Sequence, residues 1–117
     1  MSRDYRVYLY DILEAIERIR CYVSDYNFKQ FQNDPKTTDA VIRNLAVMGE
    51  AVKNIPGDFR KKYSDIEWRK IAGLRDVLIH GYFIIDLEII WDIIENKLDN
   101  LEAQIKEILD NLDGARE

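Results

Sequence analysis

Histidine and cysteine are almost absent from this chain: His80 and Cys21 are single copies in 117 residues. One cysteine excludes an internal disulfide framework, and one Cys with one His cannot build a structural zinc cluster. No metal site and no cofactor is expected. Proline (two) and glycine (five) are also scarce, which leaves long stretches free to be helical. No segment approaches the length of a membrane span, and the start Met1-Ser2-Arg3-Asp4 has no signal-peptide core, so the cytoplasm is the expected address. Positive charge is in short supply as well, with 17 Lys and Arg against 22 Asp and Glu and a net charge of −5. A protein that grips nucleic acid along a broad surface is usually basic, so a general RNA-binding module fits poorly. A nuclease that touches RNA only locally remains compatible.

What the chain does have is helical periodicity. Its 47% hydrophobic and 33% charged residues are ordinary for a soluble globular protein. The length suits a single domain, residues 1–117, that buries roughly two thirds of its unfolded surface. From Asp4 to Tyr26, the residues Tyr5, Leu9, Ile12, Ile16, Ile19 and Val23 recur at steps of three and four, one apolar stripe of a long helix. Cys21, in the same stretch, reads as a buried and inert thiol. Asn27 to Asn33 reads as a short, less regular connection whose Phe28 and Phe31 reach the core. Asp34-Pro35 opens a second helix, a capping residue followed by proline at the first helical position. That helix carries Val41, Leu45, Met48 and Val52 and stops near Asn54-Ile55-Pro56-Gly57.

A brief turn is expected from Asp58 to Tyr63, then a third helix from near Asp65 to Gly81 with Trp68, Ile71, Leu74 and Leu78 on one side. The last segment is the most regular. Leu87, Trp91, Ile94, Leu98, Leu101, Ile105, Ile108 and Leu112 predict one helix of about 40 Å, capped by Asp86. Trp68 and Trp91 are packing residues on these stripes, and the charged tail Asp110 to Glu117 reads as a frayed end. The expected fold is all-α, a bundle of four main helices with one or two short extra ones.

The unusual residues concentrate in the third helix. His80 falls on the arc opposite Ile71, Leu74 and Leu78, beside Arg69, Gly73 and Asp76. A lone histidine there is ordinarily a surface residue at a helix C-terminus, where its cationic form suits the macrodipole. Its neighbours support a functional reading. Asp76, one turn earlier, could orient the ring; Gly73 removes bulk from the same face; Arg75 offers a fixed cation whose fork suits phosphate oxygens. Arg75 and His80 are five residues apart and diverge by roughly 140° on a regular helix. Either the helix end at Gly81 re-aims His80, or the site is assembled across a two-fold dimer, which is favoured because symmetry brings two copies of the motif together. RNA carries its own nucleophile, the 2′-hydroxyl. A histidine can take that proton or protonate the leaving oxygen, and an arginine can stabilise the charged phosphate. Glu50, after Gly49 in an apolar turn, has three readings: a solvated face, a buried pair with an arginine such as Arg43 or Arg75, or a wall of the cleft.

Arg75-x4-His80-Gly81-Tyr82 resembles the Arg-x4-6-His signature of the HEPN superfamily, and the HepT toxins in particular. The likeness extends over Val41–Ala51, Ile66–Arg75 and the helix after Asp86, and three blocks in this order are far more specific than the short motif alone. The resemblance implies a homodimer whose paired motifs form an RNA-cleaving cleft, with Arg75 stabilising the phosphate, His80 as acid or base and Asp76 in support. It implies the toxin of a type VII toxin–antitoxin module, a metal-independent endoribonuclease. Its partner would be a minimal nucleotidyltransferase antitoxin that silences it by AMPylation, at the position of Tyr82. The other reading of Tyr82 is a core aromatic, since an ideal helix projects it near Leu78. The rival function is a non-catalytic nucleotide- or partner-binding subunit of a nucleotidyltransferase complex; the presence of both Arg75 and His80 favours catalysis.

Overall fold

A computed structural model describes residues 5–80 and 86–114, with the backbone alone for 76–80. The described residues form seven helices: α1 (Arg6–Tyr22), α2 (Phe28–Gln32), α3 (Pro35–Lys53), α4 (Gly57–Lys62), α5 (Trp68–His80), α6 (Leu87–Asn96) and α7 (Leu98–Gly114). No strand occurs among them, and the fold is all-α as expected. The stripes become the core. Leu9, Ile12, Ile16 and Ile19 of α1 face Val41, Leu45, Met48 and Val52 of α3, all at 1% exposure or less. Leu98, Leu101, Ile105 and Ile108 of α7 are buried in the same cluster. Their burial is the main stabilising term, at about 1.5–3 kcal/mol per large aliphatic side chain.

Local chemistry explains where most helices begin and end. Asp34 caps α3 by accepting the Thr37 backbone N–H at 3.2 Å, and Pro35 occupies the first turn where no N–H is needed. The Asp34 carboxylate also accepts from the Tyr26 hydroxyl at 2.6 Å and the Thr37 hydroxyl at 2.7 Å, which ties the preceding loop to the helix start. Asp86 caps α6 through the Glu88 N–H at 2.9 Å. α1 is shorter than predicted: it ends at Tyr22, and Asp25 adopts φ 64°, a left-handed conformation that stops the helix and that Asp tolerates better than most residues. α5 starts at Trp68 rather than near Asp65, and the Trp68 indole N–H is held by the Tyr63 carbonyl at 2.9 Å.

Four expectations are corrected. Residues 27–33 are helical because Asn27 and Gln30 form a reciprocal capping box, each side chain accepting the other's backbone N–H at 2.8 Å. The predicted turn at Asp58–Tyr63 is α4, pinned by Phe59 between the rings of Tyr5 and Tyr63. Cys21 is exposed; it stands two residues from Ile19, about 200° around the helix and off the apolar stripe. The chain is helical through Gly114, so the first part of the charged tail continues α7, and 115–117 lie outside the described residues.

The single last helix is in fact two, broken at Lys97 without proline or glycine. Lys97 keeps its bond to Ile93 O at 2.9 Å and accepts from Leu101 N at 3.1 Å, so the bend spares these hydrogen bonds. Packing supplies the reason. Trp91 of α6 leans on α2, its ring 5.2 Å from that of Phe31. α7 instead runs antiparallel to α1, with Arg6–Asp113 at 3.0 Å at one end and Arg20–Glu102 at 2.8 Å at the other. One straight rod cannot serve both partners.

Phe31 is fully buried, so Phe31→Ala should cost about 3–5 kcal/mol in urea unfolding, whereas half-buried Phe28→Ala should cost less. The Tyr26 and Thr37 hydrogen bonds hold the Asp34 carboxyl below the usual aspartate range. Asp34 therefore stabilises the fold fully above about pH 3.9, and this contribution is lost as pH falls through its lowered folded value. The stability gap between wild type and Asp34→Ala should accordingly narrow when urea midpoints are measured at acid pH.

Candidate functional site

The helix that carries the motif is set by one close approach. Where α3 crosses α5, Gly49 lies so near its neighbour that a Cβ built on it would meet Arg75 Cβ at 2.7 Å, Arg75 N at 2.8 Å and the Ile71 carbonyl at 2.8 Å. Two of these are backbone atoms that cannot step aside. Glycine is thus required here for packing, a role that Gly49 shows in sequence only as a small residue inside an apolar turn.

The next residue completes the arrangement. Glu50 Oε2 accepts from Arg75 Nε at 3.0 Å, with the two side chains 56% and 32% exposed. Glu50 therefore lies on a solvated face and pairs with Arg75 there; the pair is not the buried one expected. An ion pair this exposed contributes roughly 0–1 kcal/mol, so its consequence is mainly orientation of the guanidinium. Arg43, the other candidate partner, lines a separate groove between α1 and α3 with Asp11, Asp39 and Asn44.

α5 stays helical through position 80. Positions 75 and 80 therefore remain about 140° apart around its axis and share no arc within one chain. The side chains of Asp76 and His80 lie outside the described residues, as does Tyr82 altogether. Gly73 sits on the arc shared by positions 69, 76 and 80, and among the described residues a Cβ there meets nothing within 4 Å. Among the described residues no neighbour accounts for that glycine.

A profile of the ribonuclease HepT-like family matches residues 12–108, from within α1 to within α7 and including the whole of the α3–α5 crossing. The chain belongs to the ribonuclease HepT-like family. Among this HepT-like chain's relatives, a protein of Methanocaldococcus jannaschii named as a candidate RNase is 50% identical over 116 residues, covering 99% of this chain and 96% of that one. A protein of Thermococcus cleftensis named as a probable ribonuclease HepT is 41% identical over 108 residues, 92% of this chain and 98% of its own length. A solved structure of a tri-AMPylated HEPN toxin from Shewanella oneidensis, in complex with an MNT antitoxin, superposes with a TM-score of 0.68. At 23% identity, and covering 92% of this chain and 98% of that one, it shows the shared HEPN fold.

The same substitution should act with opposite sign at the two glycines of this site. Gly49→Ala gains up to ~1 kcal/mol of helix propensity but meets rigid atoms, and overpacking of about 1–3 kcal/mol should leave it net destabilised. Gly73→Ala meets nothing and should gain about 0.5–1 kcal/mol. Urea midpoints of the two variants would move in the same direction if the close approach at Gly49 were absent.

Proposed function

We propose that this HepT-like chain is the toxin of a type VII toxin–antitoxin module, a cytoplasmic endoribonuclease that needs no metal and uses Arg75 and His80. The observation that carries this reading is Arg75, seated against Gly49 and paired with Glu50, in a chain of the ribonuclease HepT-like family. The M. jannaschii and T. cleftensis relatives, named as RNases, support the activity.

In the proposed reaction the RNA 2′-hydroxyl attacks its own phosphorus. The O2′–P bond forms, the P–O5′ bond breaks, and a 2′,3′-cyclic phosphate and a 5′-hydroxyl result. One His80 takes the 2′-proton and a second protonates the departing 5′-oxygen, each such transfer being worth about 10²–10⁴-fold. Arg75 stabilises the charge that builds on the phosphoryl oxygens. Two histidines require two chains, and the divergence of positions 75 and 80 on α5 supports assembly across a two-fold homodimer. Asp76, one turn before His80, would orient the ring.

The Shewanella toxin of the same fold is AMPylated and bound to an MNT antitoxin, which supports a minimal nucleotidyltransferase as the partner of this chain. AMPylation of Tyr82 would put bulk and negative charge two residues from His80 and repel an RNA phosphate sterically and electrostatically.

Labelled RNA incubated with the purified chain in EDTA tests the reading. Wild type should cut; His80→Ala should lose about 10²–10⁴-fold and Arg75→Ala about 10²–10³-fold. RNA with a 2′-deoxy residue at the cut position should resist. Intact mass reports whether Tyr82 arrives adenylated, and unadenylated wild type that cuts no RNA would turn the assignment towards a non-catalytic partner-binding subunit.

A further inference from the structure

The net charge of −5 hides a local reversal. Arg60 and Lys61 of α4, with Arg69 in the first turn of α5, line an open groove of about 710 Å³ floored by Trp68. None of the three is ion-paired among the described residues, whereas Lys70 beside them is neutralised by Glu67 at 2.6 Å. Arg60 Nε is moreover buried with no hydrogen-bond partner among the described residues. An arginine fork suits phosphate oxygens. α4 is held in place by the Tyr5–Phe59 and Phe59–Tyr63 ring contacts, so the groove is a fixed feature rather than a loop.

Arg69 of the groove shares an arc of α5 with the motif's His80. Positions 69, 73, 76 and 80 share one arc of α5, and from 69 to 80 the helix advances about 16 Å. Between them a Cβ on Gly73 would meet nothing within 4 Å among the described residues. Glycine is the poorest helix former after proline, and nothing described within the chain requires it here. Uncompensated cations at one end of the arc suit a flexible polyanion better than a packed helix.

We propose that the groove between α4 and α5 is a phosphate-binding subsite for single-stranded RNA, in which Arg60, Lys61 and Arg69 hold the backbone of a strand that passes over Gly73 towards position 80. The proposal rests on the ribonuclease reading and extends it, by naming where the strand is gripped away from the scissile phosphate. Three contacts of this kind bind any sequence, so they supply affinity and register rather than base specificity.

Fluorescence anisotropy of labelled single-stranded RNA, with the full chain carrying His80→Ala so that nothing is cut, reads the subsite. Combining Arg60→Gln, Lys61→Gln and Arg69→Gln should flatten the slope of log K against log salt by about 2, since each single-strand phosphate contact contributes about 0.7, and weaken binding about tenfold near ~150 mM salt. Lys29→Gln, Lys36→Gln and Lys106→Gln, equal in charge but elsewhere on the surface, should change both far less. Equal losses in the two triples, or none in the first, would overturn the subsite. Gly73→Gln provides a readout that does not depend on charge: it should keep or raise its thermal midpoint and weaken RNA binding. A Gly73→Gln chain that binds RNA normally but changes oligomeric state in sedimentation would instead assign the arc to a second copy and sink the proposal. If the His80→Ala chain binds no RNA in any form, the ribonuclease reading falls and this subsite with it; RNA binding that ignores the groove variants removes the subsite alone.

Discussion

The close approach of α3 to α5 at Gly49 governs the rest of the structure. With no Cβ at that position, the backbone of α3 comes within van der Waals limits of Arg75 and the Ile71 carbonyl, and the face of α5 that bears the motif is set by that contact. Any side chain there would lever α5 outward against atoms that have nowhere to move. The placement of Arg75 follows from this crossing, and the adjacent Glu50 then needs only its own length to reach Arg75 Nε at 3.0 Å. Packing supplies the position and electrostatics the orientation, in that order of magnitude.

Around this crossing the bundle divides its tasks. α1 and α3 bury the fully enclosed aliphatic core, and α7 is fastened along α1 by ion pairs at both ends. α6 departs from the line of α7 at Lys97 to cover Phe31 through Trp91. These elements leave α4 and the start of α5 at the surface, where cations collect in an otherwise acidic protein. An acidic chain of the ribonuclease HepT-like family can in this way keep a confined basic surface without becoming a general polyanion binder.

Much of this architecture was legible before any coordinates. The period of Leu9–Ile12–Ile16–Ile19 and of Val41–Leu45–Met48–Val52 identified faces that are buried, because the hydrophobic effect acts on whichever stripe is apolar. Asp34-Pro35 and Asp86 marked helix starts through interactions confined to one turn. The errors have a common form. Residue type suggests an inside place for Cys21, although its angle puts it outside. Asn27 with Gln30, and Phe59, stabilise helices of five and six residues that a search for long stripes passes over. The bend at Lys97 carries no local signal, since it answers to two different packing partners.

The candidate site was legible to a similar depth. Arg75-x4-His80-Gly81-Tyr82 and its flanking blocks sufficed to indicate the HEPN superfamily, and the match over residues 12–108 bears this out. The partner of Glu50 stayed open in sequence, as did the use of two glycines of identical composition and similar helical setting. By itself the sequence determined the long apolar stripes and the faces they bury, the family and the motif, all of which depend on local spacing or on chemistry carried within one segment. Only the tertiary structure decided that Gly49 is a contact point and Gly73 an open one, that Glu50 holds Arg75, and that Arg60, Lys61 and Arg69 share a groove. Those facts depend on distances between segments remote along the chain, which are set by how helices pack and are written in no single one of them.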